Sequence, residues 1–401
     1  MRIIVWNKEK ILVGVIFCTF VIISWAPTTS NSTLGSDSLR MVMRVMYFVS
    51  AMLMAMMTNW KKKISVISIL LALTPVVYLC FQNLYSYSGL KGSSSAMLLC
   101  ALFSLQSNEI QSSVYKRIKQ YLLVLAAVGI CCYLLYILNI GEFYKLVPYY
   151  SGKTGQWYID YKVCYLYKNP LQTRLCGVFN EPGWFGTFLA FYLCSEKLNF
   201  KKLSNIVVGI AGILTFSLAF ILIIGIYYVV SKINNLKQWV WVSIIIIFYI
   251  CILPNVETGN AYVDEMIHRM AITEDGLVGD NRTTASFEYV YKNTINSDSV
   301  FWGEGYGYHL VSSSGSVCSI KTYIVDFGIL GTAILFLPVF ILLMYRYRKN
   351  RNVIIFLLCV GASLYQRPWL FETSNFVMTI AATSCIAKED IYEKEYTNKK
   401  I

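Results

Sequence analysis

Charge is scarce in this sequence. Only 14% of its 401 residues are Asp, Glu, Lys or Arg, where soluble domains carry roughly a quarter. With a mean hydropathy of +0.54, that deficit excludes a soluble all-helical protein. Histidine is scarcer still: His268 and His309 are the only two, and both fall in one polar stretch. No CxxC pattern suggests a metal site, and the chain has no Walker loop, HExxH or DxD pair. Those absences argue against P-loop nucleotide binding, zincin chemistry and a metal-held nucleotide sugar. Gly303-x-Gly305-x-Gly307 follows a helical pattern rather than a strand, so it does not read as a dinucleotide fingerprint.

What the chain has in plenty is long apolar runs. Windows of about 20 apolar residues recur along it, the signature of membrane-spanning helices. The formal charge of +13 does not point to nucleic acid. The basic residues sit in short clusters between apolar runs, as the positive-inside rule and anionic lipid headgroups require. Most of the 12 cysteines fall inside apolar segments and read as small buried hydrophobes. Cys164 and Cys176 share one loop and could pair in an oxidising compartment. The N-terminal run Ile11–Trp25 reads as a retained first helix rather than a cleaved signal.

Taken in order, spans are expected near Ile11–Ala26, Met41–Met57, Ile64–Phe81, Ser93–Leu105, Tyr121–Ile140 and Trp184–Ser195. Lys61–Lys63, and Lys116, Arg117 and Lys119, mark cytoplasmic loops. The run Ser204–Val230 decides the topology, since 27 residues would make a helix of about 40 Å against a core of about 30 Å. A single crossing would put Arg346, Arg348, Lys349 and Arg351 outside, so a break near Thr215-Phe216-Ser217 is preferred. Further spans follow at Trp239–Leu253, Tyr323–Met344, Val353–Tyr365 and Trp369–Ile386.

The expected fold is therefore an all-α polytopic membrane protein with about 11–12 spans and both ends cytoplasmic. Its units are helices in 1–140, a large external loop in 141–182, and central helices in 183–254. A second large external loop occupies 255–318, followed by helices in 319–387 and a tail in 388–401.

Candidate chemistry gathers at the outer face. Arg174 and Glu181 precede the sixth span, where Pro182 fits a helix start whose exposed N–H groups favour an anion. Arginine binds phosphate oxygens with a planar, permanently charged fork, and Glu181 there can serve as a general base. An Arg174–Glu181 ion pair is the structural alternative. Arg282 lies at the start of a helical pattern through Phe287, Val290, Tyr291 and Ile295, capped by Asp280 or Asn281. His309 follows the glycine turn and can act as an acid or base. Arg40 and Arg44 stand one turn apart near the outer end of the second span, for snorkelling or lipid phosphate. Arg367 joins them at that face, while Asp326 and Glu372 lie in apparent spans and can pair with arginine across the bundle. Tyr149, Tyr150, Tyr158, Tyr161, Tyr165 and Tyr167 suit either sugar rings or an interfacial belt.

An ordered series then emerges. It runs from Arg174-x-x-Gly177-x-x-x-Glu181-Pro182-Gly183 through Leu214-Thr215-Phe216-Ser217 to Asn281-Arg282. Phe301-Trp302-Gly303-x-Gly305 and Asp326-Phe327-Gly328-Ile329-Leu330-Gly331 complete it. This series resembles the O-antigen polymerase (Wzy-type) family of bacterial membrane proteins, kin to the O-antigen ligases, over roughly Arg174 to Met344.

The resemblance implies a metal-independent glycosyl transfer at the outer face of the inner membrane, with no cofactor. A glycan would leave its undecaprenyl pyrophosphate carrier for a hydroxyl of the next lipid-linked repeat unit. Its partners would be that lipid-linked oligosaccharide, membrane lipids and a polysaccharide chain-length regulator. Arg174 and Arg282 would hold pyrophosphates and stabilise the leaving group, and Glu181 or His309 would be the base. The ligases place a histidine after the glycine turn, close before the segment matching Asp326-Phe327-Gly328. Here that stretch reads Ser312 to Cys318 and the nearby histidine precedes it, so polymerase leads, with a ligase or a flippase of the lipid-linked unit as alternatives.

Overall fold

A computed structural model describes residues 8–28, 34–58, 60, 64–87, 89, 91–140, 143–148, 155–170, 172–232, 283–313 and 318–398, with isolated positions between 240 and 277. The expected span Trp239–Leu253 and His268 lie outside these residues, as does Arg282. The apolar runs fold as helices α1 (Lys8–Ser24), α2 (Asp37–Met57), α3 (Val66–Leu84), α4 (Ser94–Ser104) and α5 (Asn108–Ile137). After a sheet come α6 (Pro182–Ser195), α7 (Leu203–Leu214), α8 (Leu218–Lys232) and α9 (Ala285–Ile295). The chain closes with α10 (Ile320–Arg346), α11 (Arg351–Gln366) and α12 (Thr373–Asn398).

Among the described helices, α2, α3, α5 and α10 are long and apolar enough to cross a membrane. Their outward faces are apolar: α2 exposes Met41, Val45, Phe48 and Met52, and α3 exposes Val66, Leu70, Leu73 and Val77. Water would not tolerate so continuous a greasy surface, whereas hydrocarbon favours it. The protein is membrane-embedded.

One helix is interior along its whole length. Every residue of α6, Pro182 through Ser195, is buried, as an all-round apolar sequence demands. It packs against α7 and α8, and Gly186 permits this, because a Cβ there would lie 2.8 Å from the Ser217 Cβ and the Thr215 Oγ1. The break between α7 and α8 falls at Thr215–Ser217, where Phe216 turns to φ 44°. The far ends of both helices lie at the opposite pole of the bundle. Glu196, which follows α6, pairs there with Lys202 beside the start of α7, and Arg351 donates to the carbonyls of Val230 and Ser231 at the end of α8. The 204–230 run is therefore two helices and not one.

The fold is mostly helical, consistent with the all-α expectation, and a small sheet stands beside the helices. The loop at 141–182 carries a four-stranded antiparallel sheet in the order β1-β2-β3-β4, from Lys145–Pro148, Trp157–Asp160, Tyr165–Lys168 and Thr173–Gly177. Its alternation is that of a two-faced sheet. Tyr158, Tyr165, Tyr167 and Cys176 form a small core of their own with Ala26, while Ile159, Leu166 and Leu175 join the main helical core. Leu175 approaches α5 so closely that a Cβ on Gly129 would fall 2.9 Å from its methyl carbon.

Three boundaries also move. Helix α5 begins at Asn108, capped by the Ser107 hydroxyl, so Lys116, Arg117 and Lys119 lie on the helix and not in a loop. Thirty residues extend about 45 Å, and the basic turns project beyond the apolar part. Helix α9 is capped by Thr284, whose hydroxyl accepts from Phe287 N, rather than by Asp280 or Asn281. Helix α12 starts at Thr373 and continues to Asn398, so Glu372 belongs to the preceding turn and residues 388–398 are helical.

Candidate functional site

The site is built where α6 begins. Glu181 is the N-cap, Pro182 occupies the first helical position, and Gly183 leaves room for Arg367. A Cβ on Gly183 would sit 2.1 Å from Arg367 Nη2, so glycine is what admits the guanidinium. Arg367 is 6% exposed and donates from Nη2 to Glu181 Oε2 at 3.1 Å. Its guanidinium also lies 5.8 Å from the Trp369 ring centre, and Trp369 packs edge-on to Trp184 at 5.3 Å. The arginine that pairs with Glu181 here is Arg367.

Arg174 goes elsewhere. Its Nε donates to Thr215 O at 3.0 Å and its Nη2 to Phe216 O at 2.8 Å. Helix α7 leaves carbonyls unpaired at its C-terminus, and this arginine satisfies them. In this structure Arg174 braces the α7–α8 break.

A second constellation hangs on α10. Gly328 interrupts that helix with φ 68° and ψ 179°, and the turn 301–307 seats itself in the gap. Glu304 N and Gly305 N donate to the carbonyls of Val325 and Asp326 at 2.9 and 2.8 Å, and Leu330 N donates to Phe301 O at 3.0 Å. The exposed amides of the turn point at the Asp326 carboxylate, which accepts from Gly307 N at 2.9 Å and from His309 N at 3.1 Å. It also meets His309 Nδ1 at 2.8 Å, with the Asp326 side chain only 3% exposed. Asp326, for which an arginine across the bundle was one possible partner, pairs with His309. That contact fixes the orientation of the imidazole ring.

Between these two assemblies opens a cavity of about 510 Å³, within the range of small-molecule sites (about 300–1,000 Å³). The cations Arg44 and Lys91 and the carboxylates Glu181 and Glu372 line it, beside the aromatic rings of Tyr78, Trp184, Tyr306, Tyr323, Trp369 and Phe371. Glu372 keeps some surface open to the cavity, yet burial among protein atoms pushes its carboxyl up to about 7. No cation pairs with it among the described residues.

Of the residues singled out from sequence, Arg44, Glu181 and Glu372 reach the cavity wall. Arg40 instead pairs with Asp37 at 2.8 Å near the start of α2. Arg174, Arg367 and His309 are not among the described lining residues, though Arg367 holds Glu181 from behind. Tyr158, Tyr165 and Tyr167 are buried in the sheet core and present no platform to a sugar.

Sequence reasoning missed Gln82, Asn180, Trp184 and Trp369 on the wall, and read Glu372 only as a partner for an arginine. A lone carboxylate in an apolar run was the one visible signal. Among the described residues no three His, Cys, Asp or Glu side chains group as a metal site. Comparison of the chain with models of protein families and with curated proteins finds no match.

Proposed function

We propose that this protein is a polysaccharide repeat-unit polymerase. It would transfer the growing glycan from undecaprenyl pyrophosphate to the next lipid-linked repeat unit on the outer face of a bacterial inner membrane. The observation that carries the reading is the cavity itself, at one pole of a lipid-facing bundle. Its lining combines cations, carboxylates and aromatic rings. A lipid-linked glycan needs all three: cations for the pyrophosphate, a base for the attacking hydroxyl, and aromatic faces for the sugar. The acceptor oxygen bonds to the anomeric carbon as the bond from that carbon to the pyrophosphate oxygen breaks. The electron pair departs on the pyrophosphate, and Arg44 and Lys91, which line the cavity, would stabilise it. Arg282 remains a proposed pyrophosphate ligand on the sequence series alone.

A gel of surface and lipid-linked glycan from a deletion strain, beside its parent, tests this. Collapse of the ladder to one repeat unit, restored by the gene but not by its Arg44→Ala or Arg282→Ala forms, is the expected result. Full-length polymer stranded on the lipid carrier would indicate a ligase. Single lipid-linked units trapped on the cytoplasmic side would indicate a flippase.

A further inference from the structure

The cavity has an inner wall of a different character from its cationic rim. Gln82 Oε1 and Asn180 Oδ1 are buried acceptors, and Trp184 Nε1 is a buried donor; none of the three has a hydrogen-bond partner. The three residues are 7%, 8% and 5% exposed, and all line the same cavity. A buried polar atom without a partner is costly, so three on one wall mark a place where a ligand completes the bonding. Their chemistry restricts that ligand. Phosphate oxygens accept and cannot satisfy two acceptors, and an ammonium donates and cannot satisfy the indole N–H. Hydroxyl groups do both. The rings of Tyr78 and Phe371 stack on each other at 4.6 Å in the same lining.

The same wall holds Glu372. Glu181 is engaged by Arg367 at 3.1 Å, which leaves Glu372 as the lining carboxylate with no cation on it among the described residues. The groups facing it are Tyr47 from α2, Cys100 from α4 and Tyr323 from α10.

We propose that Gln82, Asn180 and Trp184 bind a neutral sugar ring by its hydroxyls, and that Glu372 takes the proton from the hydroxyl that attacks. The second half rests on the polymerase reading. In it the O–H bond of the acceptor breaks toward a Glu372 oxygen while the acceptor oxygen bonds to the anomeric carbon. The leaving pyrophosphate carries away the electron pair, and the proton stays on the carboxyl until solvent removes it. The cavity then has two ends with separate duties: a cationic rim for the anion and a hydroxyl-matched wall for the acceptor sugar.

The test uses the full chain purified in detergent. The probe is the repeat-unit oligosaccharide freed from its lipid and phosphates, titrated by calorimetry. Saturable binding is expected, weakened at least about tenfold by Gln82→Met and by Asn180→Leu, since each unmade bond to a hydroxyl costs about a factor of ten. Asn180→Leu should also unfold at or above the wild-type temperature, because it removes an unsatisfied buried acceptor. A merely structural role predicts the opposite stability change and unaltered binding.

Glu372→Gln should keep binding but lose about 10²–10⁴-fold in kcat, with KM held. Wild-type kcat/KM should rise with pH through about 7, and that rise should vanish in Glu372→Gln. Glu372→Asp should recover part of both the rate and the pH profile.

Absence of saturable binding overturns the subsite. Wild-type turnover and pH profile in Glu372→Gln overturn the proton role. Wild-type protein that binds the oligosaccharide yet forms no polymer overturns the polymerase reading and the proton role with it, and supports the subsite.

Discussion

Replacing Gly328 with alanine should unlatch the 301–307 turn from α10. The backbone there, at φ 68° and ψ 179°, lies in a region only glycine occupies readily, and a side chain in it costs about 1–3 kcal/mol. The added methyl would stand 2.2 Å from the carbonyl carbon and oxygen of Phe301 and 2.3 Å from Trp302 N. These are backbone atoms and cannot rotate aside, so the turn must lift or the helix must shift. Overpacking of that kind costs about another 1–3 kcal/mol, and together about 2–6 kcal/mol, against a total stability of about 5–15 kcal/mol for a typical domain. The loss should also reach His309, whose seat on Asp326 depends on the turn.

The assay is the thermal unfolding midpoint of the detergent-purified protein, with protease cleavage of the 301–307 turn as the local readout. Gly225→Ala in α8 serves as the control, because a Cβ there meets nothing within 4 Å and alanine favours helix. Gly328→Ala should unfold several degrees lower and be cut faster in the turn. Identical behaviour of the two variants would refute the argument that glycine is required at the kink.

Three other expectations follow from the same geometry. Arg174→Ala removes two charge-assisted hydrogen bonds to the α7–α8 break, each worth about 1.5–3 kcal/mol. Its membrane level and unfolding temperature should therefore fall, with Arg174→Lys between it and wild type; unchanged stability would refute the bracing role. Glu181→Gln deprives the buried Arg367 of its carboxylate, at about 3–5 kcal/mol. Combining it with Arg367→Met should restore most of the loss, and strict additivity in that cycle would mean the pair is not coupled. Burial raises the Glu196 carboxyl, but hydrogen bonds and charge from Lys119 and Lys202 outweigh it and hold the group below the usual range. Its contribution is thus fully present above the unfolded carboxyl value of about 4.3 and is lost as pH falls through the lower folded value. Unfolding temperatures between pH 7 and pH 3 should drop more steeply for wild type than for Glu196→Gln, and parallel curves would contradict the assignment.

Much of the bundle was legible because lipid imposes a simple rule. A run of apolar residues long enough to span must be helical, since no water satisfies its backbone. The break at Thr215–Ser217 was legible for the same reason, as 27 residues overfill the hydrocarbon. The sheet at 145–177 was not. Its strands are four or five residues long, and their tyrosines suit a sugar platform, a membrane belt or a strand equally well. Only pairing across the sheet selects among the three. The start of α5 was missed because Lys116, Arg117 and Lys119 look like a loop until a partner such as Glu196 is seen beside them.

For the site, the sequence by itself determined which residue types were present and in what order: Glu-Pro-Gly at a helix start, arginines nearby, and a glycine turn before a histidine. Those patterns are local, set by capping, by proline's missing N–H and by glycine's access to positive φ. Which charge meets which is not local. Tertiary structure alone gave Glu181 to Arg367, Arg174 to the break and Asp326 to His309, across 186, 41 and 17 residues of chain. It alone also brought Gln82, Asn180 and Glu372 to one wall. A side chain's partner is set by how helices pack and where glycines let backbones approach, and no spacing in the sequence encodes that distance.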